Sequence, residues 1–516
     1  MRLRLVILVA LGLAGGCNGP SGNGPDRGGS TRVNDGGATD GGATDGGVPD
    51  GGLTDGGADA GGAPDGGADD GGQDGGAPDA GAIDGGVEDG GVPDAGAPDG
   101  GGSIGAIPPA SVDVPVSVPA SMRGPPFDVP RTLRVPRGFS ISVHARIPGA
   151  RFMAVTPEGA LLVSYPHPGT IYLVRPGAGG ADPQVTPWVT GLKNPHDLFF
   201  HRIGSTQWLY VAESNGVRRY AWTGSGTAPP SEVVVSGLPD RSTPELHGAY
   251  AHALKNIALD SQHRLFVSIA STCNVCTSDV QADPMRAAIH VYDATGGNHR
   301  LYARGLRNAE GLDFFPGTDV LWVTVNARDE IPYPFQDGTG WYGRVIPLYV
   351  DNHPPDSFTP LRDSGNHGWP FCNPNPDGPG GLFDMPLDRD YDTNRNGTAA
   401  DCARMDRTVL GIQAHSAPLG LLFLQNTAFP SPWKWSAALA LHGSWNRRTP
   451  TGAKVILVPF TRGDQRPAAP LDLVTGWIGT DQQYWGRPVD VAVDPDGAMF
   501  ISDDHADAVY RLVRSP

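Results

Sequence analysis

The fold can be worked out from the stretch MAVTPEGALLVSYPHPGTIYLV, residues 153–174, because the same arrangement returns along the chain. A short apolar run leads to a turn at Glu158-Gly159, a second run ends in small or polar residues, and a third contains Tyr or Val. Apolar and β-branched runs joined by such turns are typical of antiparallel strands. The stretch therefore predicts a β unit built from hairpins.

Five further copies of this unit follow downstream. They begin at His196, Asn256, Glu310, Leu419 and Val489. Repetition at tens of residues indicates an array, because one unit cannot bury both of its faces. Six strand-rich units predict an all-β fold, a six-bladed β-propeller. The spacing widens between the fourth and fifth copies, where the Pro-, Gly- and Asp-rich residues 330–411 are predicted to form a long loop on one face.

The first sixteen residues have the pattern of an export signal. Arg2 and Arg4 precede an apolar run that is too short to span a membrane, and small residues then lead to Cys17. Small residues directly before a cysteine resemble a bacterial lipoprotein signal, so residues 1–16 are predicted to be removed and Cys17 acylated. Plain secretion is the alternative. The expected location is the outer membrane or cell surface, facing the periplasm or the exterior, with the lipid as the membrane contact.

Residues 17–106 form an Asp/Gly-rich repeat that is predicted to be a disordered tether. Almost no large apolar side chains are present, so burial cannot offset the entropy of ordering. Residues 18–106 contain 17 acidic residues and two arginines, and so carry −15 of the chain's net charge of −17. Because the signal adds +2, residues 107–516, the predicted propeller domain, carry −4. No nucleic-acid partner is expected.

Four cysteines remain once Cys17 is set aside. In an exported protein an even set favours disulfides, and the preferred pairs are Cys273–Cys276 and Cys372–Cys402. The C-x-x-C at 273–276 has no second copy that would complete a metal site, and Thr277 rather than His follows it, which excludes c-type haem attachment. The second pair lies within residues 330–411 and predicts a stapled loop.

The segments just before the first strand of each copy hold cationic, amide and imidazole side chains. They are Arg151, Asn194, His196, His247, His252, Arg307, Asn308, His415 and Arg487. Equivalent loops of a propeller converge on its axis, so these side chains are expected to face one another. For any one of them a surface position is the simpler interpretation. Their recurrence in register favours a shared, electron-rich ligand at the centre.

Six motifs follow one another along the folded part. They are RNAEGL (307–312), NARDE (326–330), NHGWPFC (366–372), HSAPLG (415–420), HGSWNR (442–447) and GRPVD (486–490). In this order they resemble the soluble quinoprotein glucose/sorbosone dehydrogenase family, closest to its sorbosone-dehydrogenase-like branch. The resemblance implies a six-bladed propeller that binds pyrroloquinoline quinone (PQQ) and Ca²⁺. It also implies oxidation of a sugar, polyol or aldehyde by hydride transfer to the quinone, with an external electron acceptor.

The resemblance assigns cofactor contacts to several residues. Arg307 and Asn308 match positions that contact the quinone, where fixed charge opposes the charge that develops during reduction. His415 matches another cofactor contact. Arg487 matches an arginine that binds a PQQ carboxylate, whereas a second arginine of the glucose enzymes is here Val489.

The family resemblance places two further features, another cofactor contact and the calcium ligands, only in a segment of the chain and not residue by residue. Trp445 and Arg447 lie where the glucose enzymes place a lysine beside the cofactor. Calcium ligands are expected in the segment TVNARDE, 324–330, mainly as backbone carbonyls. The predicted ligands are Thr324, Val325 and Asp329, with a turn-capping role as the alternative for Asp329.

His252 matches the family's general base, with His247 as the competitor. A neutral imidazole is suited to removing a hydroxyl proton near neutral pH. The aspartate that pairs with the base in the glucose enzymes is here Ser271, and their sugar-binding aspartate is Ala251, so glucose itself is not the expected substrate. Two other functions stay open: a propeller without cofactor that acts as a cell-surface binding module, and a calcium-dependent hydrolase such as a lactonase.

Overall fold

The computed structural model describes residues 110–224, 226–424, 433–461 and 465–515. The predicted signal, the acylated cysteine and the tether lie outside these residues. No helix in the described part of the chain is long and apolar enough to cross a membrane. The helices are short: α1 (Pro347–Val350), α2 (Tyr391–Asn394) and 3-10 turns at Ala120–Met122, Ala178–Gly180, Pro244–Leu246, Thr277–Gln281 and Cys402–Arg404.

Strands make up most of the described structure. Ahead of the first repeat, β1 (Ser111–Pro115) pairs with β2 (Thr132–Pro136), and β3 (Phe139–Arg146) follows. The first blade contains β4 (Met153–Val155), β5 (Leu161–Tyr165), β6 (Thr170–Arg175) and β7 (Gln184–Val189). The second contains β8 (Leu198–Ile203), β9 (Thr206–Glu213), β10 (Gly216–Ala221) and β11 (Ser231–Ser236). The third contains β12 (Ile257–Leu259), β13 (Arg264–Ile269), β14 (Ala288–Asp293) and β15 (Arg300–Arg304).

The fourth blade draws on the long insertion. Its sheet contains β16 (Asn308–Phe314), β17 (Leu321–Asn326), β18 (Asp356–Pro360), β21 (Phe383–Met385) and β23 (Thr408–Ile412). Three short strands of the insertion lie outside this sheet: β19 (Gly365–Asn366), β20 (Cys372–Pro374) and β22 (Leu387–Arg389). Residues 330–411 are therefore more than a loop, because they supply the outer strands of this blade. The predicted pairs Cys372–Cys402 and Cys273–Cys276 are both confirmed.

The last two blades complete the ring. The fifth contains β24 (Pro418–Phe423), β25 (Ser436–Leu441), β26 (Lys454–Pro459) and β27 (Leu471–Val474). The sixth contains β28 (Pro488–Val493), β29 (Met499–Asp503), β30 (Ala508–Arg514) and the early strand β3. The first strand of each blade contacts the first strands of both neighbouring blades, in the order β4, β8, β12, β16, β24, β28 and back to β4. The predicted six-bladed propeller is confirmed.

The blades pack face to face through apolar side chains. Between the fourth and fifth blades, Trp322, Phe358, Phe423 and Phe460 form one buried cluster. The ring centroids of Trp322 and Phe460 lie 5.0 Å apart at 90°. Edge-to-face contacts of this kind add to the stabilisation that comes from burying aromatic surface.

Buried aspartates join neighbouring blades at the inner strands. Asp197 accepts a hydrogen bond from the backbone N–H of Ile257 in the next blade, and Asp490 accepts one from Met153, both at 2.8 Å. Both carboxyl groups are buried. Burial raises the pKa of Asp197 to about 7 and that of Asp490 to about 8. Ionising either group in the folded protein therefore costs stability.

The protein is expected to lose thermal stability as the pH rises from about 4 to about 8. An aspartate whose folded pKa lies above its unfolded value of about 3.9 contributes stability at low pH that is lost as the pH passes through the folded pKa. Asp490→Asn should flatten this dependence of Tm on pH, because the amide cannot ionise. The exposed Asp496→Asn is the control in the same blade. An unchanged slope in Asp490→Asn would contradict the argument.

Candidate functional site

The side chains that were predicted to face one another at the propeller axis lie at one end of the ring, around its central channel. In an antiparallel pair the first strand begins where the second strand ends, so both kinds of segment reach the same face. Arg151, His196, Arg307, His415 and Arg487 lie just before the inner strands, as predicted. Segments that follow the second strands add four side chains: Ser271, Asp329, His442 and Asp504.

Arg307 is held by the loop that the Cys273–Cys276 disulfide closes. Its Nε and Nη2 lie 3.2 and 3.1 Å from the backbone and side-chain oxygens of Asn274, and Nη2 lies 3.1 Å from Asp329. The backbone N–H of Asp329 donates to the same Asn274 side chain at 2.8 Å. Burial lowers the pKa of Arg307, although Asp329 opposes this effect. The guanidinium is therefore fixed in place before any ligand binds.

His415 is the second cationic partner of Asp329. Its Nδ1 lies 3.4 Å from the Asp329 carboxylate, and its Nε2 lies 2.9 and 3.0 Å from the carbonyl oxygens of Val350 and His353. Both ring nitrogens thus face acceptors, which favours the doubly protonated ring. Burial alone would lower the pKa of His415, but Asp329 outweighs it and raises the pKa. The insertion supplies both carbonyl groups and so forms a wall of the site.

Asp504 organises the opposite side of the channel. Its two oxygens each accept a bond at 2.8 Å, one from Arg151 and one from His442. Arg151 also lies 3.1 Å from Nε2 of His196. Burial would raise the pKa of Asp504, but His442 and Arg151 outweigh it and hold the pKa below its ordinary value. Burial lowers the pKa of His442 to about 4, so this ring is neutral.

Arg487 completes the set of arginines. Its Nε and Nη2 donate to the carbonyl oxygens of His442 and Gly443 at 3.0 and 2.9 Å. The guanidinium lies 5.4 Å from the ring centroid of Tyr484. Among the described residues Nη1 has no hydrogen-bond partner, so it can reach a ligand. Gly443 has a φ of 106°, and a Cβ there would lie 2.8 Å from Tyr484, so the close approach requires glycine.

The geometry around His252 fixes its tautomer. Its Nδ1 lies 3.0 Å from both the backbone oxygen and Oγ of Ser271, and that hydroxyl already donates to the oxygen of Cys273. Both oxygens therefore act as acceptors, Nδ1 carries the hydrogen, and Nε2 carries the lone pair. Nε2 has no partner within the described chain. Burial, followed by the charge of Arg307, lowers the pKa of His252 to about 3, so the ring is neutral.

The remaining residues that the sequence predicted for the site differ in how deeply they are buried. Asn308 is 4% exposed, and its side-chain amide has no hydrogen-bond partner in the described part of the chain. Trp445 is 42% exposed, and Arg447 is half-buried beside it, with Nη1 3.4 Å from the oxygen of Ala414. His247 is exposed, in a left-handed conformation at the end of the 3-10 turn Pro244–Leu246. The structure therefore separates the two candidate bases.

The predicted calcium segment is only partly open to a ligand. Thr324 lies in β17, and its hydroxyl is used within the protein: it donates to Leu419 and accepts from Gly311, both at 2.8 Å. Val325 lies in the same strand, between β16 and β18. Asp329 lies between Arg307 and His415. No group of three or more His, Cys, Asp or Glu in the described residues could hold a metal ion.

Sequence reasoning missed Asn274 and Asp504. Neither belongs to a segment before an inner strand, and each acts on an arginine from another part of the ring. A usable signal was present, however. The second strands of the copies end in small or polar residues, and the segments after those ends supply both Ser271 and Asp504.

A family model described as TrAA12-like matches residues 133–515, which include all six blades. The chain belongs to the TrAA12-like family. A PQQ-dependent pyranose dehydrogenase of Coprinopsis cinerea is 29% identical over 196 residues, 32% of this chain and 25% of that protein. The chain also matches an uncharacterized protein of Borreliella burgdorferi, at 25% identity over 264 residues. It spans 60% of the length of that protein and 25% of the length of the pyranose dehydrogenase. The family resemblance drawn from the six motifs is confirmed.

Solved structures of two fungal proteins share the fold. The holo form of the pyranose dehydrogenase PQQ domain from Coprinopsis cinerea has a TM-score of 0.62 at 21% identity, over 77% of this chain and 100% of that one. A calcium structure of the Trichoderma reesei carbohydrate-active enzyme of family AA12 has a TM-score of 0.60 at 20% identity, over 74% and 96% of the two chains. At such identities the likeness concerns architecture.

Proposed function

We propose that the protein is a PQQ-dependent dehydrogenase that oxidises a sugar, with a sorbosone- or aldose-like compound as the expected substrate. The observation that carries the proposal is the ring of fixed cations beside a neutral imidazole whose Nε2 is free. The arginines 151, 307 and 487 come from three blades, and His252 lies next to one of them. The family and its PQQ-dependent relative support the assignment.

The donor set fits PQQ, which carries three carboxylates and an ortho-quinone. Three arginines and a protonated His415 outnumber Asp329 and Asp504, the two carboxylates that form ion pairs with members of this set. Nη1 of Arg487 and the amide of Asn308 are available as donors. Arg307, Asn308, His415 and Arg487 would hold the cofactor, with Trp445 and Arg447 at the mouth. When bound, PQQ supplies a quinone that accepts a hydride.

The chain's own residues would act on the substrate hydroxyl and on developing charge. His252 would take the hydroxyl proton at Nε2, because Nδ1–H stays bonded to Ser271. Arg307 would oppose negative charge without moving, since Asn274 and Asp329 already orient it. Neutral His252 beside a fixed cation separates the two tasks of proton removal and charge stabilisation.

Reconstitution of the full-length protein tests the proposal. PQQ and Ca²⁺ are added, quinone absorbance is followed, and aldoses, sorbosone and simple aldehydes are then supplied with a dye as electron acceptor. Saturable PQQ binding and sugar-dependent dye reduction are expected. Absence of both would overturn the dehydrogenase assignment and favour a binding module.

Calcium is assigned no step, because the described side chains do not form a carboxylate-rich site. Any site in the predicted segment would rely on the backbone carbonyls of Thr324 and Val325 with Asp329. Treating the reconstituted enzyme with EGTA is expected to release PQQ, and Ca²⁺ rather than Mg²⁺ should restore binding. If Asp329 is a ligand, Asp329→Asn will need more Ca²⁺ for the same recovery. PQQ binding that resists EGTA would contradict calcium dependence.

Cell location remains a proposal from the sequence. We propose a lipid anchor at Cys17, an extended tether to residue 106, and a propeller that passes electrons to an external acceptor at the outer membrane or cell surface. The first described residue is 110, so these features lie outside the described chain. Cys17→Ser should move the protein from the membrane fraction to the soluble fraction, and an unchanged distribution would contradict the anchor.

A further inference from the structure

A cavity of about 460 Å³ lies beside the channel, between the segment that precedes the propeller and the loops around the sixth blade. One wall is formed by the prolines 125 and 126 together with Arg131. The facing wall contains Asp481, Gln483, Tyr484, Trp485 and His505. None of these residues belongs to the predicted cofactor contacts.

Tyr484 separates this cavity from the cofactor site. Its hydroxyl lies 2.8 and 3.1 Å from the backbone oxygens of Ser444 and Thr451, and its ring lies 5.4 Å from the guanidinium of Arg487. His505, on the same wall, directly follows Asp504, and its Nε2 lies 3.2 Å from the backbone oxygen of Tyr484. A ligand in the cavity would thus lie one side chain, that of Tyr484, away from Arg487.

The cavity offers hydrogen-bond donors that the protein does not use. Arg131 donates only from Nε, to Pro126 at 2.8 Å, so within the described chain its two Nη groups have no partner. The side-chain amide of Gln483 has none in the described chain either, because its bonds are made by the backbone: the N–H donates to Asp481 and the carbonyl accepts from Gly479. These groups are available to a ligand with several hydroxyl groups.

The charges and rings of the cavity narrow the ligand class. One arginine faces two carboxylates, Asp481 and Asp507, so the site does not select an anion. Trp485 and Tyr484 supply apolar ring surface, and Arg131 lies 5.2 Å from the Trp485 ring centroid. Ring surface framed by mixed donors and acceptors suits a neutral polyhydroxylated ligand. The volume lies within the ~300–1,000 Å³ typical of ligand pockets.

We propose that this cavity is a saccharide subsite that binds the non-reacting units of an oligosaccharide while its terminal unit enters the channel. The inference rests on the proposed dehydrogenase function and extends it to the substrate class. The protein then prefers the ends of sugar chains to free monosaccharides, because the subsite adds contacts that a single ring cannot reach.

Steady-state kinetics of the reconstituted full-length protein test the subsite. The substrates are glucose, cellobiose, cellotriose, maltose and maltotriose. A lower KM for at least one trisaccharide than for glucose is expected. Gln483→Ala and Arg131→Ala should each raise that trisaccharide KM by about five- to tenfold, as expected for loss of one hydrogen bond. The KM for glucose and the kcat values should stay unchanged. Gln482→Ala, at the exposed neighbouring position that does not line the cavity, is the matched control.

Calorimetry with the same trisaccharides on the cofactor-free protein separates this proposal from the dehydrogenase assignment. If no sugar reduces the dye, the proposed dehydrogenase function fails. Calorimetric trisaccharide binding that is lost in Gln483→Ala but kept in Gln482→Ala would still support the subsite. Equal KM values for glucose and all trisaccharides in the unchanged protein, together with no calorimetric binding, would overturn it. Equal effects of Gln483→Ala on glucose and trisaccharide would also overturn it.

Discussion

Replacing His252 with alanine is expected to lower turnover by about 100- to 10,000-fold, while PQQ binds almost as tightly as before. The imidazole is neutral because burial and Arg307 lower its pKa to about 3, and Ser271 leaves Nε2 free to accept a proton. Alanine removes that acceptor without removing any of the cationic side chains that bind the cofactor. Single-turnover dye reduction and a PQQ titration measure the two effects separately.

Two further variants test whether the effect is specific. His247→Ala removes an imidazole of the same type from an exposed turn and should leave turnover unchanged. Ser271→Ala removes one of the two oxygens next to Nδ1 but keeps the backbone carbonyl, so a loss of less than about tenfold is expected. A full loss in His247→Ala, or normal turnover in His252→Ala, would move the general base to another residue.

Replacing Asp504 with alanine is expected to lower the free energy of unfolding by about 3–5 kcal/mol, because it removes the carboxylate that pairs with the buried Arg151. Arg151 would lose its 2.8 Å contact, and the N–H of His442 would lose its acceptor. Urea denaturation of the full-length protein measures the change. Asp496→Ala, an exposed position in the same blade, should change stability by less than about 0.5 kcal/mol.

The Asp504 effect should also depend on pH. Arg151 and His442 hold the pKa of Asp504 below its unfolded value, so the stabilisation is present above about pH 4 and is lost as the pH falls further. The difference between the unchanged protein and Asp504→Ala should therefore shrink under acid. A difference that is constant from pH 7 to pH 3 would show that packing, rather than charge, accounts for the loss.

The repeats were predictable because each is local. In each copy a short strand, a turn and a second strand follow one another closely along the chain, and the six copies start within two residues of the inner strands. The side chains just before those strands were predictable for the same reason, because equivalent positions in the six repeats lie at equivalent places around the propeller axis. His252 and Arg307 were both found in this way.

The features that sequence reasoning missed are non-local. Asp504 contacts Arg151 across most of the folded chain, and Asn274 reaches Arg307 from the loop of another strand pair. The outer strands of the fourth blade are separated from β17 by the insertion, so no repeat pattern marks them. Pairing partners so far apart leave no periodic trace in the sequence, whereas strands joined by a short turn do.

The pairing of β3 with β30 has a consequence for biosynthesis. Phe139 is opposite Arg514, so the sixth blade unites β3, which precedes the other five blades along the chain, with β30, which follows them. The ring therefore cannot close until β30 has been synthesised, and the nascent chain keeps open strand edges until then. Long-range closure of this kind is slow and favours protection of the growing polypeptide by a chaperone. A circularly permuted gene that places these two strands next to each other would fold faster.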